Sequence, residues 1–443
     1  MASTSLTRTI SSTGDEQKVT ISAWIKRSNL SSSNDMRIIT AKTVANNQNW
    51  LSMDSDKLNF SHYNGSSYDY QFITNAVFRD VSAWYHIVAE VDTTQATESD
   101  RVKIYINGVQ ETSFSTANYP SLNHNTVWNT SGFTNYIGQG GSNNNYWDGS
   151  ITHIHLIDGT AYDADTFGET DATTGIWKPK TAPSVTYGTN GFFLKGENSG
   201  SLGTDSSGKG NDFTVNGTPT QTVDTPSNVF ATLNPLNKAD LTYAYGNNQI
   251  TNSTTSHNGT QATLAFSSGK WYWETKYIDG SATKSMAGIS IVTETIGNNL
   301  VGGTANSYGY YRANGQKYNN GSGTAYGTTP SNGSIIGTAF DADNGTLWFS
   351  LDGVWQNSAT ISEIENGTTT NSAFSGISMS DYYAPACSAE DCSNQTNFGN
   401  GYFGTTAVAS GNADDNGIGV FEYAPPTGYL ALCTKNINSQ EYS

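Results

Sequence analysis

The chain has 443 residues, 21 of them basic and 38 acidic, for a net charge of −17. Such a surface repels phosphate backbones and anionic headgroups, so no nucleic-acid partner is expected. No membrane insertion is expected either, because no apolar run approaches the roughly 20 residues of a membrane span. Charged residues make up only 13% and aromatics 12%, with 25 Tyr, 17 Phe, 10 Trp and 45 Gly. Disordered chains have the opposite balance. Turn formers beside aromatic and β-branched residues read as an all-β protein.

In chain order, the first strand signal is Lys18–Ile25, where Val19, Ile21, Ala23 and Ile25 alternate with polar neighbours at the period of a half-buried strand. Trp84–Val91 follows, ending in an acidic turn at Asp92. Val102–Val109 alternates again, and its Asn107-Gly108 is a hairpin signal. Tyr136–Gly138 and Trp147–Ile157 add two more strands. Short strands at regular spacing with turn residues between them predict a sandwich.

The stretch from Glu197 to Pro235 breaks this pattern with Gly, Ser, Asp and Thr, and reads as a connector carrying one strand at Phe213–Val215. A second β-run begins near Leu241. Its markers are Gly269–Glu274, Ala287–Val292, Ile335–Asp341, Gly345–Trp355, Thr396–Gly399 and Phe421–Tyr429. The expected organisation is two β-sandwich domains, 1–196 and 237–443, joined by a Gly/Ser/Thr-rich connector at 197–236, with a tail at the C-terminus. No heptad pattern encodes a coiled-coil stalk. The N-terminus, Met1 to Arg8, lacks the apolar core of a signal peptide, so synthesis in a cytoplasm without general secretion is expected.

Catalytic motifs are sparse. No Gly-x-Ser-x-Gly elbow, P-loop or His-Glu-x-x-His occurs. His153 and His155 share one face of an expected strand and could supply two metal ligands, but no third ligand stands at a suitable spacing. Cys387, Cys392 and Cys433 are too few for a disulfide framework; they read as free thiols, with a local Cys387–Cys392 bridge as the alternative.

Sugars bind β-lectins by stacking on Tyr or Trp, with Asn, Asp and backbone groups holding the hydroxyls. Trp24, Trp84, Trp147, Trp271, Trp273, Trp348 and Phe349 stand in strand patterns and are assigned to the cores. Turn-like aromatics are the binding candidates: Tyr63, Tyr68 and Tyr70 in SHYNGSSYDYQF, and Tyr119 and Trp128 in the polar stretch 115–132.

The motifs TISAWIK, WYHIVAEVD, VKIYINGV, YIGQGG and YWDGSITHIHLIDG, in that order over Val19–Gly159, resemble the laminin-G/concanavalin-like jelly-roll lectin domains. Over Gly269–Phe403, GKWYWE, GISIV, YGYYRANGQKY, IIGTAFDADNGTLWFSLDGVW, YAPACS and NFGNGYF resemble a SPRY (B30.2) domain. The first resemblance implies that an enzyme would carry a Glu-x-Asp-x-x-Glu run for glycoside cleavage. The nearest approaches, Glu98-Ser-Asp100 and Glu363/Glu365, lack it, and no enzyme is expected. It also raises calcium at the sandwich rim, through Asp92, Asp148 or Asp163/Asp165. The same residues end strands by bonding their own backbone, so no cofactor is assigned. Asp341-Ala-Asp343-Asn-Gly345 looks like half a calcium loop but lacks its Glu and matches the SPRY turn. The SPRY resemblance places Tyr308, Tyr310, Tyr311 and Tyr318 near variable ligand-binding loops, with Tyr382 and Tyr383 as weaker candidates.

The two domains, the connector LGTDSSGKGNDF…DTPSN and the terminus FEYAPPTGYLALCTKN together resemble structural proteins of marine bacteriophages. That resemblance implies a non-enzymatic fibre or surface adhesin at the virion surface. Its implied partners are other virion proteins and a host-surface glycan or protein, in a homo-oligomer with a trimer favoured over a dimer. The alternatives are an architectural capsid-decoration or tail subunit without receptor binding, and a polysaccharide depolymerase.

Overall fold

The computed structural model describes residues 4–30, 35–43, 46–142, 144–237, 240–278 and 284–441. They form two compact units, residues 1–221 with 225–227 and residues 228–443 with 222–224. The regular structure of both is almost wholly strand.

Among the described residues, the first unit stacks an eight-stranded on a six-stranded antiparallel sheet. The strands are β1 (Ser5–Thr9), β2 (Lys18–Arg27), β3 (Asp35–Lys42), β4 (Gln48–Asp54), β5 (Lys57–Tyr63), β6 (Tyr68–Thr74), β7 (Trp84–Asp92) and β8 (Val102–Ile106). They continue with β9 (Val109–Glu111), β10 (Phe114–Asn118), β11 (Thr134–Ile137), β12 (Gly149–Asp158), β13 (Gly168–Thr170), β14 (Trp177–Pro179), β15 (Phe192–Leu194) and β16 (Thr214–Asn216). The larger sheet runs β10-β6-β5-β4-β3-β11-β1-β16 and the smaller β15-β12-β2-β7-β8-β9.

Val19, Ile21, Ala23 and Ile25 of β2 are all buried in the core between the sheets, facing Leu51, Met53, Leu58 and Phe60 of the larger sheet. Trp24 alternates to the other side yet is buried too. It stacks on His86 at 4.6 Å, and Trp177 of the β13–β14 hairpin donates its Nε1–H to His86 Nδ1 at 3.0 Å. The 160–187 segment thus covers the back of the smaller sheet with Ala164, Phe167 and Trp177.

The expected connector is built into the units. Leu6, Thr7 and Ser5 of β1 pair with β16, and Phe213 packs into the first core against Phe192. Asp205 accepts the Phe193 and Asn211 amides, which ties the Gly-rich turn to β15. From Phe230 onward the chain lies in the second unit. Turn composition misled here because Asp, Ser and Gly also build tightly hydrogen-bonded loops.

The second unit continues with β17 (Thr242–Ala244), β18 (Gln249–Asn252), β19 (Asn258–Gln261), β20 (Lys270–Ile278), β21 (Lys284–Ile291), β22 (Ser307–Tyr311), β23 (Gln316–Asn319) and β24 (Ser322–Ala325). Then come β25 (Ile335–Asp341), β26 (Thr346–Leu351), β27 (Val354–Trp355), the short helix α1 (Ile361–Glu365), β28 (Tyr383–Glu390) and β29 (Cys392–Asn397). One sheet runs β17-β18-β29-β20-β25-β26-β27 and the other β19-β28-β21-β22-β23-β24. Trp271, Trp273, Phe340 and Phe349 fill the space between them. Trp348 faces away from that core yet is fully buried among Tyr272, Phe421 and Tyr429.

Those last two residues bound the expected β-marker Phe421–Tyr429, and the chain after it is also part of the fold. Leu430–Ala431 pairs in parallel with Trp271 and Tyr272, and helix α2 (Thr434–Glu441) follows. Glu274 of β20 clasps this return. Its Oε1 accepts the Tyr423 amide at 2.8 Å and its Oε2 the Glu422 amide at 2.9 Å. Asn397 Nδ2 and the Tyr272 hydroxyl each donate to it at 3.2 Å. Burial still dominates and pushes the carboxyl up to about 7.

Candidate functional site

The aromatic candidates separate according to the pleat of the larger sheet. Leu51 and Met53 of β4 face the core, so Trp50 and Ser52 face outward. Register adds Thr40 opposite Trp50 and Arg37 opposite Ser52. On this face Tyr68 is 47% exposed. Its ring lies edge-on to Tyr63 at 5.3 Å and to Trp50 at 6.0 Å. The Arg37 guanidinium sits 4.0 Å over the Trp50 ring and is held by Asp35, whose Oδ2 accepts its Nε–H at 2.7 Å. Asn145 Nδ2 donates to the same oxygen at 2.9 Å. On the same face, Thr40 Oγ1, Trp50 Nε1, Ser52 Oγ and Arg37 Nη1 are shielded from solvent and meet no protein hydrogen-bond partner among the described residues.

Tyr70 and Trp128, expected at the surface, are core residues. Tyr70 is fully buried, accepts Asn49 Nδ2–H at 2.8 Å and Trp128 Nε1–H at 3.3 Å, and burial raises its phenol far above the ordinary value. Trp128 stacks on Phe60. Tyr119 is half-buried, edge-on to Phe72 at 4.9 Å. In the second unit Tyr310 is likewise core, stacked on Phe349 at 5.5 Å with its hydroxyl donating to the Thr328 carbonyl. Tyr383 is buried as well, whereas Tyr382 is 54% exposed. Tyr308 packs edge-on to Phe374, and Tyr311 and Tyr318 form a half-buried pair at 5.1 Å. Only Tyr63 with Tyr68, and Tyr311 with Tyr318, are brought together as partly open surface pairs among the named candidates.

The charged candidates have structural partners. Glu98 and Asp100 lie in a surface turn with no buried residue. Glu363 completes the capping box of α1, and Glu365 accepts the Thr427 amide. Asp92 accepts from Thr94 and Asp163 from the Thr166 amide, each ordering its own turn. Asp341 and Asp343 shape the β25–β26 hairpin through Asn344 and the Gly269 amide. His155 stacks on Phe193 at 3.9 Å and bonds the Tyr187 hydroxyl, away from any ligand set. All three cysteines are buried free thiols, so no Cys387–Cys392 bridge forms; burial pushes Cys387 up to about 12.

One cluster carries no signal in the sequence. His62, Asp69 and His124 converge at one end of the β5–β6 hairpin, with His62 Nδ1 at 2.9 Å from His124 Nε2 and 3.5 Å from Asp69 Oδ2. His62 and His124 lie 62 residues apart in sequence, beyond any ligand-spacing motif.

Two antiparallel β-sandwiches define the class of the chain. Residues 3–165 match the Concanavalin A-like lectin/glucanases superfamily, and residues 270–401 match the SPRY domain. The chain therefore carries a laminin-G/concanavalin-like domain followed by a SPRY domain. Among solved structures it is similar to the SPRY domain of human HERC1, with 16% identity over 37% of this chain and 96% of that one, at a TM-score of 0.29. It is also similar to a structure described as a human SPRY domain, with 14% identity over 35% of this chain and 94% of that one, at a TM-score of 0.26. No curated protein matches the chain.

Proposed function

We propose that this chain is a non-enzymatic structural protein of a bacteriophage virion, a fibre or surface adhesin that presents its two sandwiches for host-surface recognition. The observation that carries the binding role is the Tyr63–Tyr68–Trp50 cluster on the outer face of the larger sheet. A half-exposed tyrosine offers a stacking face for the apolar side of a sugar. The virion setting rests on the domain order and on the connector and terminus motifs, which resemble phage structural proteins. A single weak lectin site holds a virion poorly, so the chain acts as a homo-oligomer, with a trimer favoured over a dimer because the resemblance points to fibres.

A glycan array and an adsorption assay on bacterial cells, read with the full chain, test the recognition. Saturable binding that Tyr68→Ala weakens is the expected result. Absence of saturable binding in both assays would leave an architectural subunit, and release of reducing ends from capsule would point to a depolymerase. The position of the chain in an intact virion map, and its symmetry there, test the setting.

A further inference from the structure

The β5–β6 hairpin is irregular where it matters. His62 pairs with Tyr70 and Tyr63 with Tyr68, so Asp69 is an extra residue bulged out of β6. A bulge re-aims a side chain, and here it swings the Asp69 carboxylate toward His62, which an unbroken pleat would place on the opposite face. Asn64 Nδ2 donates to Asp69 Oδ1 at 2.9 Å, which leaves Oδ2 to face the histidines. His124 arrives on a loop that is itself pinned. Thr93 Oγ1 donates to the His124 carbonyl at 2.8 Å, and the Asn123 and Val127 amides donate to the Thr93 carbonyl and Asn49 Oδ1.

His62 Nδ1, His124 Nε2 and Asp69 Oδ2 stand 2.9, 3.5 and 3.9 Å apart pairwise. A tetrahedral ion about 2.0–2.1 Å from each ligand spaces its donors by about 3.3–3.4 Å, the middle of that range. The tautomer is also set. Asn47 Oδ1 lies 3.0 Å from His62 Nε2 and can only accept, so the His62 proton sits on Nε2 and the Nδ1 lone pair faces the cluster. Burial and the neighbouring imidazole lower His62 to about 4, and burial lowers His124. Ligation takes the neutral imidazole.

We propose that His62, Asp69 and His124 form a site for one zinc-type divalent transition-metal ion, bound through two imidazole nitrogens and one carboxylate oxygen with a fourth position open to solvent. Two nitrogens and one oxygen suit zinc and its borderline neighbours, whereas calcium takes six to eight oxygens. The His62 side chain is 3% exposed, His124 17% and Asp69 25%, so the ion is reached from one side while its opposite flank is protein. Ion entry displaces the hydrogen of the His62–His124 bond. His124 then carries its single ring proton on Nδ1, so no net proton is released from the neutral pair. The ion staples the 121–124 loop to the hairpin that bears Tyr63 and Tyr68, but its binding is independent of what those tyrosines recognise.

The test uses the full, untagged chain freed of metal by a chelator. Equilibrium dialysis against zinc chloride, with a chromophoric zinc indicator as competitor, should give one equivalent bound per chain. Cobalt(II) should give the intense visible bands of a tetrahedral site. Asp69→Asn and His124→Gln, both at partly exposed positions, should each weaken zinc binding at least about tenfold with unchanged circular dichroism. His257→Gln, at the His257–Glu390 pair of the second unit, should bind as the parent does. Absence of saturable zinc binding, a stoichiometry untouched by Asp69→Asn and His124→Gln, or displacement of zinc by equimolar calcium would each overturn the assignment.

Discussion

Glu274 makes the stability of the second unit depend on pH in a direction opposite to that of most carboxylates. Its side chain is completely buried, and burial raises the carboxyl from 4.5 to about 7 despite four hydrogen-bond donors. Below the ordinary value both folded and unfolded chains are protonated, and stability is at its highest. As pH rises from 4.5 to about 7 the unfolded chain ionises while the folded one holds its proton, so stability falls; above that it levels off. The span corresponds to about 3 kcal/mol, a sizeable part of the 5–15 kcal/mol of a typical domain.

His257 in the same unit is lowered by burial, so its contribution runs the other way and rises with pH. The informative quantity is therefore the difference between the parent and Glu274→Gln. The glutamine cannot ionise, and its amide nitrogen faces at least one of the donors, a pH-independent cost. Hydrogen exchange of the β20 and β29 amides under increasing urea, from about pH 5 to about pH 8, reads this unit apart from the first. The parent should lose about 3 kcal/mol more than Glu274→Gln across that range. Equal slopes, or a parent that gains stability relative to the variant, would refute the account of a carboxyl kept neutral by burial.

Trp348→Ala should cost the second unit about 3–5 kcal/mol, because the indole is fully buried among Tyr272, Phe421 and Tyr429; calorimetry showing an unchanged transition would remove it from that cluster. Tyr68→Ala should weaken ligand binding by about 1–2 kcal/mol without changing the melting temperature, whereas Tyr70→Ala should destabilise the first unit through its Asn49 and Trp128 bonds. Limited proteolysis should cut first within 217–223, the mostly exposed run before the second unit, rather than throughout 197–236; first cleavage within the Asp205 loop would contradict its anchoring to β15.

The all-β class was legible because alternation is local. Val19, Ile21, Ala23 and Ile25 announce their shared face within eight residues, and all four are fully buried. The paired domains were legible through motif order, which the matches at 3–165 and 270–401 reproduce. Burial of single aromatics was not. Tyr68 and Tyr70 are two residues apart in the same polar run, yet one is half exposed and the other has no exposure. Only the bulge at Asp69 and the arrival of Trp128 from a distant loop separate them. The 197–236 stretch has the composition of a linker, and only its pairing with β1 and packing on Phe192 shows where its ends belong. The His62–Asp69–His124 cluster was beyond sequence reasoning for the same reason. Its ligands come from a strand end, a bulge and a loop, and no local rule of spacing joins positions that only strand register and loop anchoring bring within 4 Å.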